Sequence, residues 1–342
     1  MNVLKLILFS TVIILTSCQS EDIEVGTSAD DTFYVTRNNF SMRVTVKGNT
    51  ASRKIMLIIH GGPGGSAYFY RTREVKEMLE PYYAVAYWDQ RAAGASQGTN
   101  NNNTVHLNEY GEDLAHVIKV LKHRYGAKIY LMSQSWGGMV ATQFLTTPGY
   151  QQEVSGWIFA NAVHDWPLND QNSVAMLMSR GKEELAKERN VSKWTEIIKY
   201  CESLNAPYTS DQSGKLNNYA WDAMNLIEGF DALNEDKILK DNLIAEKIPF
   251  TAAFSNLANP ANRKLLKEIV NISFTDKLSL ITVPVLICAG KHDFVCPQAT
   301  GDNLFKNLGS TDKQQMLFNN SGHNLEQQSL YVNAFRTFVD EH

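Results

Sequence analysis

The sequence predicts an α/β fold: a mostly parallel central sheet flanked by helices, with an inserted helical cap. Three observations predict it. Apolar runs suited to strands buried on both faces recur, as at Lys54–His60 and Pro284–Gly290. Helical stretches alternate with such runs as far as Asn161. From about 166 to 280 the alternation stops and only helical periodicity remains. The expected organisation is a signal segment at 1–17, a tether at 18–31, a core made of 32–165 and 281–342, and a cap at 166–280.

Composition narrows the function classes. The chain has 342 residues, 44% hydrophobic and 20% charged, which suits one large core plus a subdomain. Its net charge of -4 points to neither nucleic acid nor an acidic membrane surface as partner. Six Trp and fourteen Tyr fit either a large core or an aromatic-lined cavity. The four cysteines make no disulfide framework, and no CxxC or His/Cys metal pattern occurs. No metal and no cofactor is expected.

At the N-terminus one lysine, Lys5, precedes an apolar run too short for a comfortable membrane span. The run ends in Leu15-Thr16-Ser17-Cys18, which resembles the lipobox of bacterial lipoproteins. That resemblance implies cleavage before Cys18, lipid on the cysteine, and a bilayer partner in a bacterial cell envelope. A polar, acidic stretch follows, and Gly26–Asp31 reads as a flexible linker.

Thr32–Thr36 and Met42–Val46 alternate apolar and polar residues about Asn38-Asn39, as a hairpin does. Lys54–His60 is a buried strand that empties into His60-Gly61-Gly62-Pro63-Gly64-Gly65. Glycines there let the backbone approach a substrate oxygen with no Cβ in the way. His60 reads as structural, fixing the turn by hydrogen bonds. Tyr70–Glu80 reads as helical and Tyr83–Trp88 as a strand leading into Asp89-Gln90-Arg91-Ala92-Ala93-Gly94-Ala95-Ser96. A polar loop from Gln97 to Thr104 follows, with Thr104 as the expected cap of the next helix. Leu114, Val117, Ile118 and Leu121 form one stripe of that helix, which stops at Gly126.

Lys128–Leu131 is an apolar strand running into Met132-Ser133-Gln134-Ser135-Trp136-Gly137-Gly138, then into a helix-forming stretch. A strand that turns abruptly into a helix at a serine between small residues is a nucleophile elbow. Ser135 is the candidate nucleophile, beside helix N–H groups able to bind an anion. Val154–Asn161 is the next strand. In the insertion, Trp194, Ile197, Ile198, Cys201 and Leu204 share one helical face; Trp221, Met224 and Ile227 suggest another, and Ala261–Val270 a third helix. After Pro284–Gly290 comes Asp293 in a Gly-x-x-Asp loop, and after the strand Gln314–Phe318 comes Gly322-His323. Asp89 and His292 rival them on residue type. The order Ser135, Asp293, His323 is that of the α/β-hydrolases, and the core resembles that fold. Asp293 would orient His323, which would take the Ser135 proton. Backbone N–H groups of Gly62 and Trp136 would form the oxyanion hole.

These residues resemble the proline iminopeptidase (prolyl aminopeptidase) group of α/β-hydrolases. The resemblance rests on His60–Gly64, Asp89–Ser96 and Ser133–Gly138, and covers about 32–161 and 283 to the end. It implies a serine peptidase that releases an N-terminal residue, often proline, from small peptides without a metal. Ala92 and Ser133-Gln134 depart from the family's glycines. The family's cap motifs for gripping a substrate ammonium, Trp-Glu and Glu-Asn-His-Tyr-Phe, are absent; Glu183, Glu184, Glu228 and Glu246 are the available acids. A carboxylic-ester or lactone hydrolase with the same triad, and a non-catalytic binding protein on this fold, are the alternatives.

The lipobox makes a direct prediction. Intact-mass analysis of the protein from bacterial membranes should find Cys18 at the N-terminus with added lipid mass; an unmodified Met1 in the mature protein rejects it.

Overall fold

A computed structural model describes residues 27–98, 104–231, 233–246, 248 and 260–342. The signal segment, Cys18 and the asparagine run lie outside the described residues. The strands are β1 (Ser28–Arg37), β2 (Phe40–Asn49), β3 (Lys54–Ile59), β4 (Ala84–Trp88), β5 (Gln97–Gly98), β6 (Lys128–Ser135), β7 (Gly156–Ala162), β8 (Val285–Gly290) and β9 (Lys313–Phe318). They form one sheet in the order β1-β2-β4-β3-β6-β7-β8-β9, with β5 paired to β2. Every pairing from β4 to β9 is parallel, while β1, β2 and β5 pair antiparallel.

Helices cover both faces. Those of the core are α1 (Arg73–Met78), α2 (Leu107–Tyr125) and α3 (Gly137–Leu145). Along β3, Ile55, Leu57 and Ile59 pack with α2 and α3, while Met56 and Ile58 face the opposite layer. This is the period-2 alternation of a strand, with apolar residues on both sides. Five described helices stand between β7 and β8: α4 (Trp166–Ala186), α5 (Val191–Glu202), α6 (Ser210–Asn225), α7 (Glu235–Ala245) and α8 (Pro260–Ile269). Trp194, Ile197 and Cys201 of α5 meet Leu216, Ala220 and Met224 of α6 in a separate apolar cluster. The chain then completes the core with α9 (Gln298–Asn307) and α10 (Gln328–Glu341).

Several local expectations need correction. Ser28–Asp31, read as linker, already belongs to β1, because its backbone pairs with β2 as far as Asn49. Gln97 and Gly98, read as loop, form β5 against Phe40 and Ser41. The Tyr70–Glu80 helix is split: a single 3-10 turn spans Ala67–Tyr70, and α1 starts only after its cap Thr72. Thr104 does not cap α2. The residue before α2 is His106, and the first helical N–H, that of Leu107, bonds the Glu268 carboxylate of α8 at 3.2 Å. The hairpin turn is as expected: Asn38 and Asn39 both take positive φ, 48° and 63°, the geometry of a two-residue turn between twisted strands.

The insertion leaves and re-enters the core at one point. Asp165 caps α4 by accepting from Leu168 N–H at 2.9 Å, and it also accepts from the hydroxyls of Ser273 and of Thr275, the latter at 2.7 Å. Backbone bonds Trp166 N to Ile272 O (3.0 Å) and Phe274 N to His164 O (3.2 Å) close the neck. Asp165→Ala removes a helix cap and both hydroxyl bonds. It should lower stability by roughly 1–3 kcal/mol, read as a shift in the urea midpoint.

Candidate active site

The loops after β3, β4, β6, β8 and β9 meet at the carboxyl edge of the sheet, where open α/β sheets bind ligands. A cavity of about 420 Å³ opens there. Gly61 and Gly62 line it from the glycine loop, Gln134, Ser135 and Trp136 from the elbow, and Cys296 and His323 from the late loops. The insertion supplies Trp166, Asp170, Ser213, Trp221, Leu266 and Val270, so it roofs the cavity.

Ser135 takes the left-handed conformation, with φ of 54°. Such a backbone costs a non-glycine residue on the order of 1–3 kcal/mol and must be enforced by its surroundings. The next turn is jammed against the sheet. A Cβ on Gly137 would lie 2.0 Å from the Ile59 carbonyl oxygen, so only glycine fits. Ser133 needs no such room: its hydroxyl accepts from Trp157 Nε1–H at 2.9 Å and donates to Ile158 O at 3.3 Å. Gly62 has φ of 131°, which the glycine loop requires.

Asp293 is fully buried. Its Oδ1 accepts from the N–H groups of Val295 (2.9 Å) and Cys296 (2.8 Å), and its Oδ2 from His323 Nδ1–H at 3.0 Å. In the neutral imidazole the proton is therefore on Nδ1, leaving Nε2 as an acceptor. Burial opposes charge on His323, but the Asp293 carboxylate outweighs it and holds the imidazole pKa well above its ordinary value. The cap places the Trp221 ring at right angles to the imidazole, with centroids 5.2 Å apart.

The structure thus gathers Ser135, Asp293, His323, Gly62 and Trp136 around one cavity. The rivals do other things. The Asp89 carboxylate accepts from Ser66 Oγ (2.8 Å) and the N–H groups of Ala67 (2.9 Å) and Ala95 (2.8 Å), clamping its own loop. His292 packs on Phe230, centroids 5.5 Å apart. His60 is buried, donates from Nδ1 to Gly61 O at 2.7 Å and accepts Gln90 N–H at Nε2, so it fixes the turn as expected. Asp293, Cys296 and His323 each bring a ligating atom within 4.8 Å of the others. The bond between Asp293 and His323 already engages two of the groups a cation would need.

Three residues of the cavity were not singled out from the sequence. Cys296 is in hydrogen-bonding contact with the His323 ring and with Ser135, and burial pushes its thiol up. Its place three residues after Asp293 is the signal that could have found it. Gln134 contacts the ring and the backbone of His323. The third is Asp170, on α4. None of Glu183, Glu184, Glu228 and Glu246 lines the cavity: they pair with Arg180, Arg180, Arg189 and the Lys47–Arg71 pair respectively. Asp170 is the carboxylate that does. Burial pushes its pKa up to about 7, partly opposed by the Ser213 hydroxyl. That hydroxyl accepts in turn from Trp166 Nε1–H at 2.9 Å.

A family model for serine aminopeptidase, S33, matches residues 50–232 and 264–328. The chain belongs to that family. It is a serine hydrolase. Among relatives of the S33 member, probable aminopeptidase YbaC of Bacillus subtilis (strain 168) is 23% identical over 320 residues, covering 89% of this chain and 94% of the relative. The proline iminopeptidase of Mycobacterium smegmatis superposes with a TM-score of 0.65 at 16% identity, over 91% of this chain and 98% of that one. An esterase from Exiguobacterium antarcticum superposes with a TM-score of 0.60 at 20% identity, over 90% and 99%. Such structural likenesses establish the α/β-hydrolase fold.

The raised Asp170 pKa carries a stability prediction. The folded state keeps a proton that the unfolded carboxyl loses above its ordinary value of 3.8, so stability falls as pH rises from there to about 7. Asp170→Asn should therefore gain stability over the parent at pH 8 relative to pH 4, by on the order of 1–4 kcal/mol, in denaturant titrations at the two pH values. An equal difference at both rejects it.

Proposed function

We propose that this protein is an aminopeptidase of proline iminopeptidase type, releasing N-terminal residues from small peptides. Ser135 attacks the scissile carbonyl while His323 Nε2 takes its proton. Asp293 holds the imidazole and stabilises the imidazolium. The N–H groups of Gly62 and Trp136 receive the developing oxyanion. His323 then protonates the leaving amine, and water repeats the sequence to free the acyl group.

Asp170 is the observation that supports this reading over an ester hydrolase. A carboxylate desolvated to the point of reluctant ionisation gains most from a cationic partner. A substrate α-ammonium entering the roofed cavity supplies that partner. A neutral ester leaves the charge unpaired. We also propose, from the lipobox alone, that lipid on Cys18 holds the enzyme at the bacterial envelope.

Ser135→Ala should abolish both fluorophosphonate labelling and hydrolysis of proline p-nitroanilide. Asp170→Asn should lower kcat/KM on that amide by roughly ten- to a hundredfold, the worth of a charged hydrogen bond. On p-nitrophenyl acetate it should change little. Strong ester turnover with no amide turnover in the parent selects the ester or lactone reading. Absent labelling selects the non-catalytic one.

A further inference from the structure

Gln134 precedes the nucleophile on β6, and its side chain is buried. Its Nε2 donates to the His323 carbonyl oxygen at 2.9 Å and lies 3.2 Å from His323 Nε2. Its Oε1 accepts from the Tyr70 hydroxyl at 2.5 Å. That hydroxyl accepts in turn from Gly61 N–H at 3.0 Å. A carbonyl oxygen only accepts, so the contact with His323 O fixes which end of the amide faces the imidazole. Flipping the amide would break that bond and set its NH2 against the Tyr70 proton.

We propose that Gln134 is a positioning residue that biases His323 toward its neutral form, against the pull of Asp293, and ties it, through Tyr70, to the oxyanion loop. The amide N–H bonds Nε2 only while Nε2 carries a lone pair. Once Nε2 is protonated, two N–H groups oppose each other, and the imidazole proton is left to point at Ser135 or the leaving group. A hydrogen bond to the neutral form favours that form. Gly61 bears on the same unit: a Cβ there would sit 2.7 Å from Gln134 Oε1 and 2.9 Å from Ser135 Cβ. Base, nucleophile and oxyanion loop are thus packed as one body.

Charged and titratable groups surround His323, and in its own loop the Glu326 carboxylate accepts from the N–H groups of Gly322 at 2.6 Å and Asn324 at 3.3 Å. Asp293 and Cys296 face it from the loop after β8. The elbow adds Ser135 and Gln134, α6 adds the uncharged Trp221, and Asp170 lines the same cavity from α4. Gln134 opposes Asp293: the carboxylate favours the imidazolium, and the amide favours the neutral ring.

The inference rests on the triad reading above, and the test separates the two. The rate of fluorophosphonate labelling is followed against pH, in the Asp170→Asn background so that Asp170 does not titrate. Gln134→Leu should move the acid limb up by about 0.5–1 pH unit, the worth of one hydrogen bond. Gln134→Glu, which offers the imidazolium an acceptor, should move it further. If the plateau rate falls in both variants but the limb stays put, Gln134 is only structural and the proposal is overturned. If either variant fails to fold, the other decides by the same criterion. Labelling that survives Ser135→Ala overturns the triad reading instead, whatever the limb does.

Discussion

The left-handed backbone at Ser135 is the constraint on which the rest of the molecule turns. A serine does not take φ of 54° unaided. Here it is wedged from both sides. Gly137 lies under the Ile59 carbonyl at the end of β3, and Val163 N–H bonds Ser135 O at 3.1 Å from the end of β7. The same wedge explains why the neighbouring loops are fixed so closely. Trp136 sends its Nε1–H to Gln90 Oε1 at 2.9 Å, and Gln90 Nε2 donates to His60 O at 2.9 Å. The elbow, the Asp89–Arg91 loop and the glycine loop therefore hold one another, and no one of them can shift without the other two.

Beneath that junction the Asp-Gln-Arg sequence acts as a buried brace. Arg91 is wholly buried and bonds Asp113 of α2 twice, Nε to Oδ2 at 2.5 Å and Nη2 to Oδ1 at 2.6 Å. A buried ion pair gives little net stability, but removing one partner leaves an uncompensated charge. Its use here is to fix the level of the β4 loop against α2. Ala92 keeps positive φ, 53°, where the related motif has glycine. The brace thus tolerates the departure seen in the sequence.

The mostly parallel sheet and the succession of strands and helices along the core were legible because each has a local cause. Apolar runs mark two-faced strands, and glycines mark close approaches. Ser135, Asp293 and His323 sit at strand ends in a fixed order. What escaped depends on contacts between distant segments. Glu268 caps α2 from 161 residues away, so Thr104 looked like the available cap. Ser28–Asp31 looks like linker until β2 offers it a partner. Asp170 lies in a polar helical stretch, Trp-Pro-Leu-Asn-Asp-Gln-Asn-Ser, in which nothing local says that its one acid points inward. Gln134 read as a departure from a glycine motif; only the Tyr70 and His323 contacts give it a task.

Two carboxyl groups, one buried behind the His323 imidazole and one in the cavity wall, stand in opposite circumstances. Asp293 receives three N–H bonds, from Val295, Cys296 and His323, all within the core loops. Its charge is compensated before any substrate arrives, which suits a group that must hold an imidazole in place. Asp170 is set in the roof, with the Ser213 hydroxyl as its hydrogen-bond donor and a pKa driven to about 7 by burial. On the proposed function, a cationic substrate would complete its charge. A preorganised acid belongs with the chemistry, because chemistry gains from dipoles that need not move. An incomplete one belongs with recognition, because only the right partner removes its penalty. On the proposed reading, the core of this fold would carry the reaction and the cap the choice of substrate.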